Sequence, residues 1–141
     1  MLDDFIQLSK GLTGVDGLDP GLANDYMVRF KANPDVGGTL QDLIDTYKRI
    51  VAAGGGKAQI SAGIAGQIMG NDKLRPPAQQ LIYLWYVSAF FALDPTDPTK
   101  SKGTWQYGPP QHYEQGLVWS IIRAHAPMTF GGKVGYWTEK P

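Results

Sequence analysis

The chain has 141 residues and a mass of 15.4 kDa, enough for a single domain that buries about two thirds of its unfolded surface. Its 13 basic and 13 acidic residues cancel, so no field draws in nucleic acid or an anionic membrane, and neither partner is expected. Without cysteine there is no disulfide, thiolate nucleophile or cysteine-ligated metal, and 18 glycines with 10 prolines point to short helices joined by ordered loops.

The opening Met1-Leu2-Asp3-Asp4-Phe5 has neither a basic nor an apolar leader region, so the chain is expected to be cytoplasmic unless a leader is removed. Asp3 or Asp4 is placed to cap a first short helix. Phe5, Leu8 and Leu12 are its apolar stripe and Thr13-Gly14 its stop, since glycine tolerates the left-handed conformation that ends helices. Asp19-Pro20 is a stronger start, an N-cap carboxylate followed by proline at the first helical position. Leu22, Tyr26 and Phe30, with Ala23 and Met27, then recur on one face as far as Asn33-Pro34. Thr39-Leu40-Gln41-Asp42 resembles a capping box for a third helix, striped by Leu40, Leu43, Ile44, Tyr47 and Val51 and ended by Gly54-Gly55-Gly56. From Lys57 to Met69, Ile60, Ile64 and Ile68 are interleaved with alanine and glycine, the pattern of a thin helix able to lie close to a neighbour.

The stretch from Arg75 to Ala92 is the longest apolar run. Pro76 and Pro77 suit the first turn of a helix, where their missing N–H groups would be unpaired anyway, and Asp94-Pro95 supplies a stop. Leu81, Leu84, Trp85, Ser88 and Phe91 follow helical spacing, while Ile82, Tyr83, Tyr86, Val87 and Phe90 cover much of the other side. The spacing therefore predicts a central helix over 76–92, apolar all round and buried. Its apolar run is shorter than the ~20 residues that cross a bilayer, so no transmembrane segment is expected. A long ordered loop over 94–110 follows, held by Trp105 and Tyr107. Gln111 to Ala124 reads as a sixth helix, with Tyr113, Leu117 and Ile121 on one face, and the remainder is an extended C-terminal arm. Few stretches alternate apolar and polar residues, so the fold expected is all-α, a single domain of five or six short helices.

Little here resembles catalytic equipment. His112 and Glu114 stand two apart, a spacing that makes helical side chains diverge. His125 sits at an expected helix C-terminus, where it meets the dipole favourably. Two lone histidines make neither a haem nor a zinc site, and the carboxylates are scattered at caps and exposed faces. Gly54-Gly55-Gly56-Lys57 lacks the preceding strand and the Lys-Ser/Thr ending of a phosphate-cradling loop.

Four segments, in order, resemble the small (gamma) subunit of membrane-associated, FAD-dependent sugar and polyol dehydrogenases, the sorbitol, fructose and glucose dehydrogenase small-subunit family. The first carries Leu8-Ser9 and Leu12-Thr13-Gly14, then Leu18 to Ala23 and Tyr26, similar to the family's Leu-Ser, Leu-Thr-Gly and Leu-Ala elements. The second is Leu84-Trp85-Tyr86-Val87-Ser88, where the family has Trp-Tyr followed closely by glycine. Tyr113-Glu114-Gln115-Gly116-Leu117-Val118-Trp119 is close to a Tyr-Glu-x-Ala-Leu-x-Trp pattern, and Gly135-Tyr136-Trp137 to Pro141 is similar to a terminal Gly-Phe/Tyr-Trp-x-x-x-Pro. A shorter likeness is to gluconate dehydrogenase small subunits. The resemblance implies a noncatalytic chain that holds no flavin and binds a large FAD-containing catalytic subunit, in a complex that admits a cytochrome or other electron-transfer subunit. With a twin-arginine leader, which this sequence does not carry, such a chain escorts its partner to the periplasmic face of the inner membrane. A free-standing helical adaptor, or a small enzyme using His112 or His125, stays open as an alternative.

Four Trp, seven Tyr and five Phe also favour a partner surface, because Trp and Tyr offer large rigid area with a polar handle. Trp105, Tyr107, Tyr136 and Trp137, in glycine- and proline-rich segments and with Pro141 closing the chain, are the expected contacts. Deleting Tyr136 to Pro141 is expected to weaken association with the large subunit by orders of magnitude, since two aromatic anchors contribute ~2 kcal/mol or more each. The melting temperature of the isolated chain should move little. Binding and melting measured with and without these residues check both halves.

Overall fold

The Asp19 side chain accepts a hydrogen bond from the Leu22 backbone N–H at 2.8 Å, and Pro20 follows it as the first helical residue. This is the clearest case of local chemistry writing the fold. The computed structural model describes residues 1–93 and 103–121, and among these the chain is predominantly helical. It forms two compact units, one from Met1 to Ile82 and one that begins at Tyr83.

In the first unit, helix α1 (Leu2–Thr13) buries Phe5, Leu8 and Ser9, and α2 (Pro20–Ala32) buries Leu22, Ala23, Tyr26 and Phe30. A 3₁₀ turn (Gly37–Thr39) leads into α3 (Leu40–Ala52), whose buried residues are Leu40, Leu43, Ile44, Thr46 and Ile50. Helix α1 packs on both α2 and α3. The Arg29 guanidinium stands 5.7 Å from the Tyr26 ring centre, and burial draws its pKa below the ordinary arginine value.

Three sequence expectations are corrected here. Asp3 and Asp4 lie in the first turn of α1, where they favour the helix dipole, and the capping position is Met1. Thr39 does not form a capping box: its hydroxyl donates to the Val36 carbonyl at 2.6 Å, closing the 3₁₀ turn instead. In α3 the buried stripe takes in Ile50, while Val51 is left exposed and Tyr47 half-buried. Gly54 and Gly55, both at positive φ, turn the chain into α4 (Lys57–Gly63), which continues as a π-helix over Ile64–Met69. Gly63 allows the close approach that the small residues promised, since a Cβ there would stand 2.6 Å from Ile50 Cγ2.

Helix α5 (Arg75–Val87) begins as expected, its two prolines in the first turn after a bend in which the Asn71 side chain accepts from the Lys73 N–H at 2.9 Å. Leu81, Leu84 and Trp85 are buried, whereas Ile82, Tyr83, Tyr86 and Val87 are half-buried, so burial is less complete on one side of the helix than the all-round burial expected.

The helix also ends five residues before the expected boundary at 92. Ser88 donates its N–H to the Leu84 carbonyl at 2.9 Å and adopts a left-handed φ of 57°. Beyond it, strand β1 (Ala89–Leu93) pairs antiparallel with β2 (Gly103–Tyr107), placing Phe91 opposite Trp105 and Ala89 opposite Tyr107. Residues 103–107 of the expected 94–110 loop are thus a strand, and 94–102 lies outside the described residues. The expected sixth helix is divided into α6 (Pro110–Glu114) and α7 (Val118–Ile121). Residues 122–141, including His125, Gly135, Tyr136, Trp137 and Pro141, lie outside the described residues. Among the described residues no helix is long and apolar enough to cross a membrane.

Trp85 is 1 % exposed, so Trp85→Ala is expected to cost about 3–5 kcal/mol in urea unfolding of the full chain. In the same experiment Ser88→Val should lose about 1–3 kcal/mol, because a β-branched side chain resists positive φ, and Ser88→Gly should lose less. Equal losses for the two Ser88 variants would show that backbone conformation is not what this residue supplies.

Candidate functional site

A β-strand points alternate side chains to opposite faces, so Trp105 and Tyr107 share one face of β2, together with their cross-strand partners Phe91 and Ala89. Trp105 is packed between two rings. Tyr83, from α5, meets it edge-on at 5.3 Å with an interplanar angle of 80°, and Phe91 lies at 5.0 Å, tilted by 56°. Tyr107 meets Tyr113 of α6 edge-on at 5.5 Å, and Tyr113 in turn meets Trp119 of α7 at 5.4 Å. These T-shaped spacings are the favoured aromatic geometry, each worth about 0.5–1.5 kcal/mol beyond burial.

Held this way, the outer rings are still open to solvent: Trp105 is 43 % exposed and Tyr107 57 %. Large apolar side chains that are rigid on one side and bare on the other mark an interaction surface more often than a solvated face. Among the described residues the sheet has two strands, and a strand edge offers backbone N–H and C=O groups with which a partner can pair.

The support beneath this face comes from the ends of helices. Leu117 donates its backbone N–H to the Trp85 carbonyl at 3.0 Å, satisfying an acceptor in the last turn of α5. Gly116 sits against the same turn, where an added Cβ would stand 2.5 Å from the Tyr86 carbonyl oxygen. Alanine, the residue of the resembled pattern at this position, does not fit without a shift. The Trp119 indole N–H donates to the Tyr113 carbonyl at 2.9 Å and locks α7 to α6.

Trp85, Tyr86, Tyr113 and Trp119, singled out in the sequence as motif positions, are thereby joined to Trp105 and Tyr107 in one unit. Leu8, Ser9, Leu12, Thr13 and Gly14 belong to the other unit, where they end α1. Leu8 and Ser9 are buried and Leu12 half-buried. Thr13 Oγ1 donates to the Ser9 carbonyl at 2.8 Å and accepts from the Val15 N–H at 3.3 Å, while Gly14 takes the left-handed cap position at φ 70°. The Leu-Thr-Gly element is thus a helix stop. Tyr83 and Phe91 were missed as parts of the aromatic face, because an unbroken apolar run hides where a helix yields to a strand.

His112 and Glu114 are both on the five-residue α6, and among the described residues no group of three or more His, Asp or Glu side chains is placed to hold a metal ion. Compared with known proteins, the chain matches no family model and no curated sequence.

Among the described residues Trp105 makes two ring contacts and Tyr107 one. Trp105→Ala is therefore expected to lower the stability of the isolated chain by about 1–3 kcal/mol and Tyr107→Ala by about 1 kcal/mol or less. Thermal unfolding of the two variants checks the order, and the reverse order would mean that Tyr107 is the more deeply supported ring.

Proposed function

We propose that the chain is a noncatalytic small subunit that binds and stabilises the FAD-containing catalytic subunit of a sugar or polyol dehydrogenase, seating Trp105 and Tyr107 in it. With a leader peptide it would escort that subunit for export and work at the periplasmic face of the inner membrane. The observation that carries this reading is the pair of exposed rings on a braced hairpin face. Preformed aromatic anchors bind at low entropic cost, because the side chains are already ordered before the partner arrives. The order of the four motif segments supports the choice of partner, and the flavin belongs to that partner in this proposal.

The test is to isolate the tagged chain from its native source under mild conditions. A stoichiometric flavoprotein of several times its mass is expected to come with it. The double variant Trp105→Ala with Tyr107→Ala should bind that flavoprotein at least about a hundredfold more weakly, the scale of two lost hot-spot residues. A stoichiometric partner that contains no flavin would return the chain to a helical adaptor, and full affinity in the double variant would move the interface elsewhere.

A further inference from the structure

The first unit carries a cleft of about 620 Å³ between α1, α3 and α4, within the size range of small-molecule sites. It arises from small residues at the helix crossings. Gly11 leaves α1 bare, so that the Tyr47 phenol lies directly on the helix backbone, and a Cβ at Gly11 would stand 2.8 Å from Tyr47 Cζ. On the other wall α4 passes into its π-helix at Ile64. Such segments widen the helix, and they recur at functional sites. Tyr47, Val51, Ile60 and Ile64 give the cleft an apolar lining. Val51 is 44 % exposed, a large apolar side chain open to solvent within it.

The lining also carries charge. Lys10 pairs with Asp16 at 3.0 Å and Lys48 with Asp4 at 3.2 Å. Lys57, also at the cleft, is in no close ion pair among the described residues and acts on Asp16 only at longer range. Three lysines therefore face two aspartates, leaving one positive charge over an apolar lining. We propose that this cleft binds an amphiphilic organic anion, a monocarboxylate with an apolar tail, with the tail on Tyr47, Val51, Ile60 and Ile64 and the carboxylate beside Lys57. A neutral ligand gains nothing from Lys57, and a strongly polar anion leaves the apolar lining wet. The site shares no residue with the hairpin face and stands whether or not the chain is a dehydrogenase subunit.

Isothermal titration of the full chain with decanoate, kept below its micellar concentration, tests this, with decanol as the neutral control. One decanoate is expected per chain, bound more tightly than decanol. Lys57→Gln should weaken decanoate about threefold, as for a solvent-exposed ion pair, without changing decanol. Val51→Glu, at an exposed position that leaves the helices intact by circular dichroism, should weaken decanoate at least about tenfold by putting a like charge in the cleft. No decanoate binding, decanol binding as tight as decanoate, or unchanged decanoate affinity in either variant would overturn the proposal.

Discussion

The left-handed backbone at Ser88 is the constraint on which the second unit depends. A helix that continued through Phe90 and Phe91 would have kept those rings on its own cylinder. With the chain turned at Ser88, the next residues run extended, and Phe91 comes opposite Trp105 across the ladder. The carbonyls in the last turn of α5 then need donors that the helix no longer supplies, and the Leu117 N–H donates to the Trp85 carbonyl. That bond and the close seat of Gly116 draw the segment between α6 and α7 onto the helix end. A single backbone conformation thus decides where the hairpin starts, why the sixth helix is broken, and which aromatic rings meet.

The first unit works by a different logic, in which the absence of side chains shapes the surface. Gly11 brings the Tyr47 ring onto α1, and Gly63 brings α4 onto Ile50. Close crossings by small residues bury backbone efficiently but leave gaps beside the crossing, because nothing larger fills them. The cleft between α1, α3 and α4 is such a gap, and the exposed Val51 belongs to it. An α3 helix that buried Val51, as the apolar stripe suggested, would have shown no such opening. The helix instead rotates Ile50 inward.

The two units therefore offer surfaces of different chemistry. The hairpin face presents large rings braced by other rings, suited to a flat or grooved protein partner that can cover both Trp105 and Tyr107. The cleft presents aliphatic side chains together with lysines, suited to a small amphiphile.

The sequence by itself determined the helices whose signals are local. Asp19-Pro20 at the start of α2, Thr13-Gly14 at the end of α1 and Pro76-Pro77 in the first turn of α5 act within a few residues, through caps and fixed φ, so a reader of the chain can place them. It also marked Trp105 and Tyr107 as rings with no helix to bury them. The hairpin was not legible, since a run such as Ala89 to Leu93 is apolar in either period and its register depends on a strand ten or more residues away. Nor did the sequence say which of Ile50 and Val51 turns inward, or that Gly116 rests on a carbonyl of α5 where alanine has no room. Those choices belong to the tertiary structure alone, because each is made by contact between segments distant in the chain, and no local preference of the residues involved is strong enough to decide it.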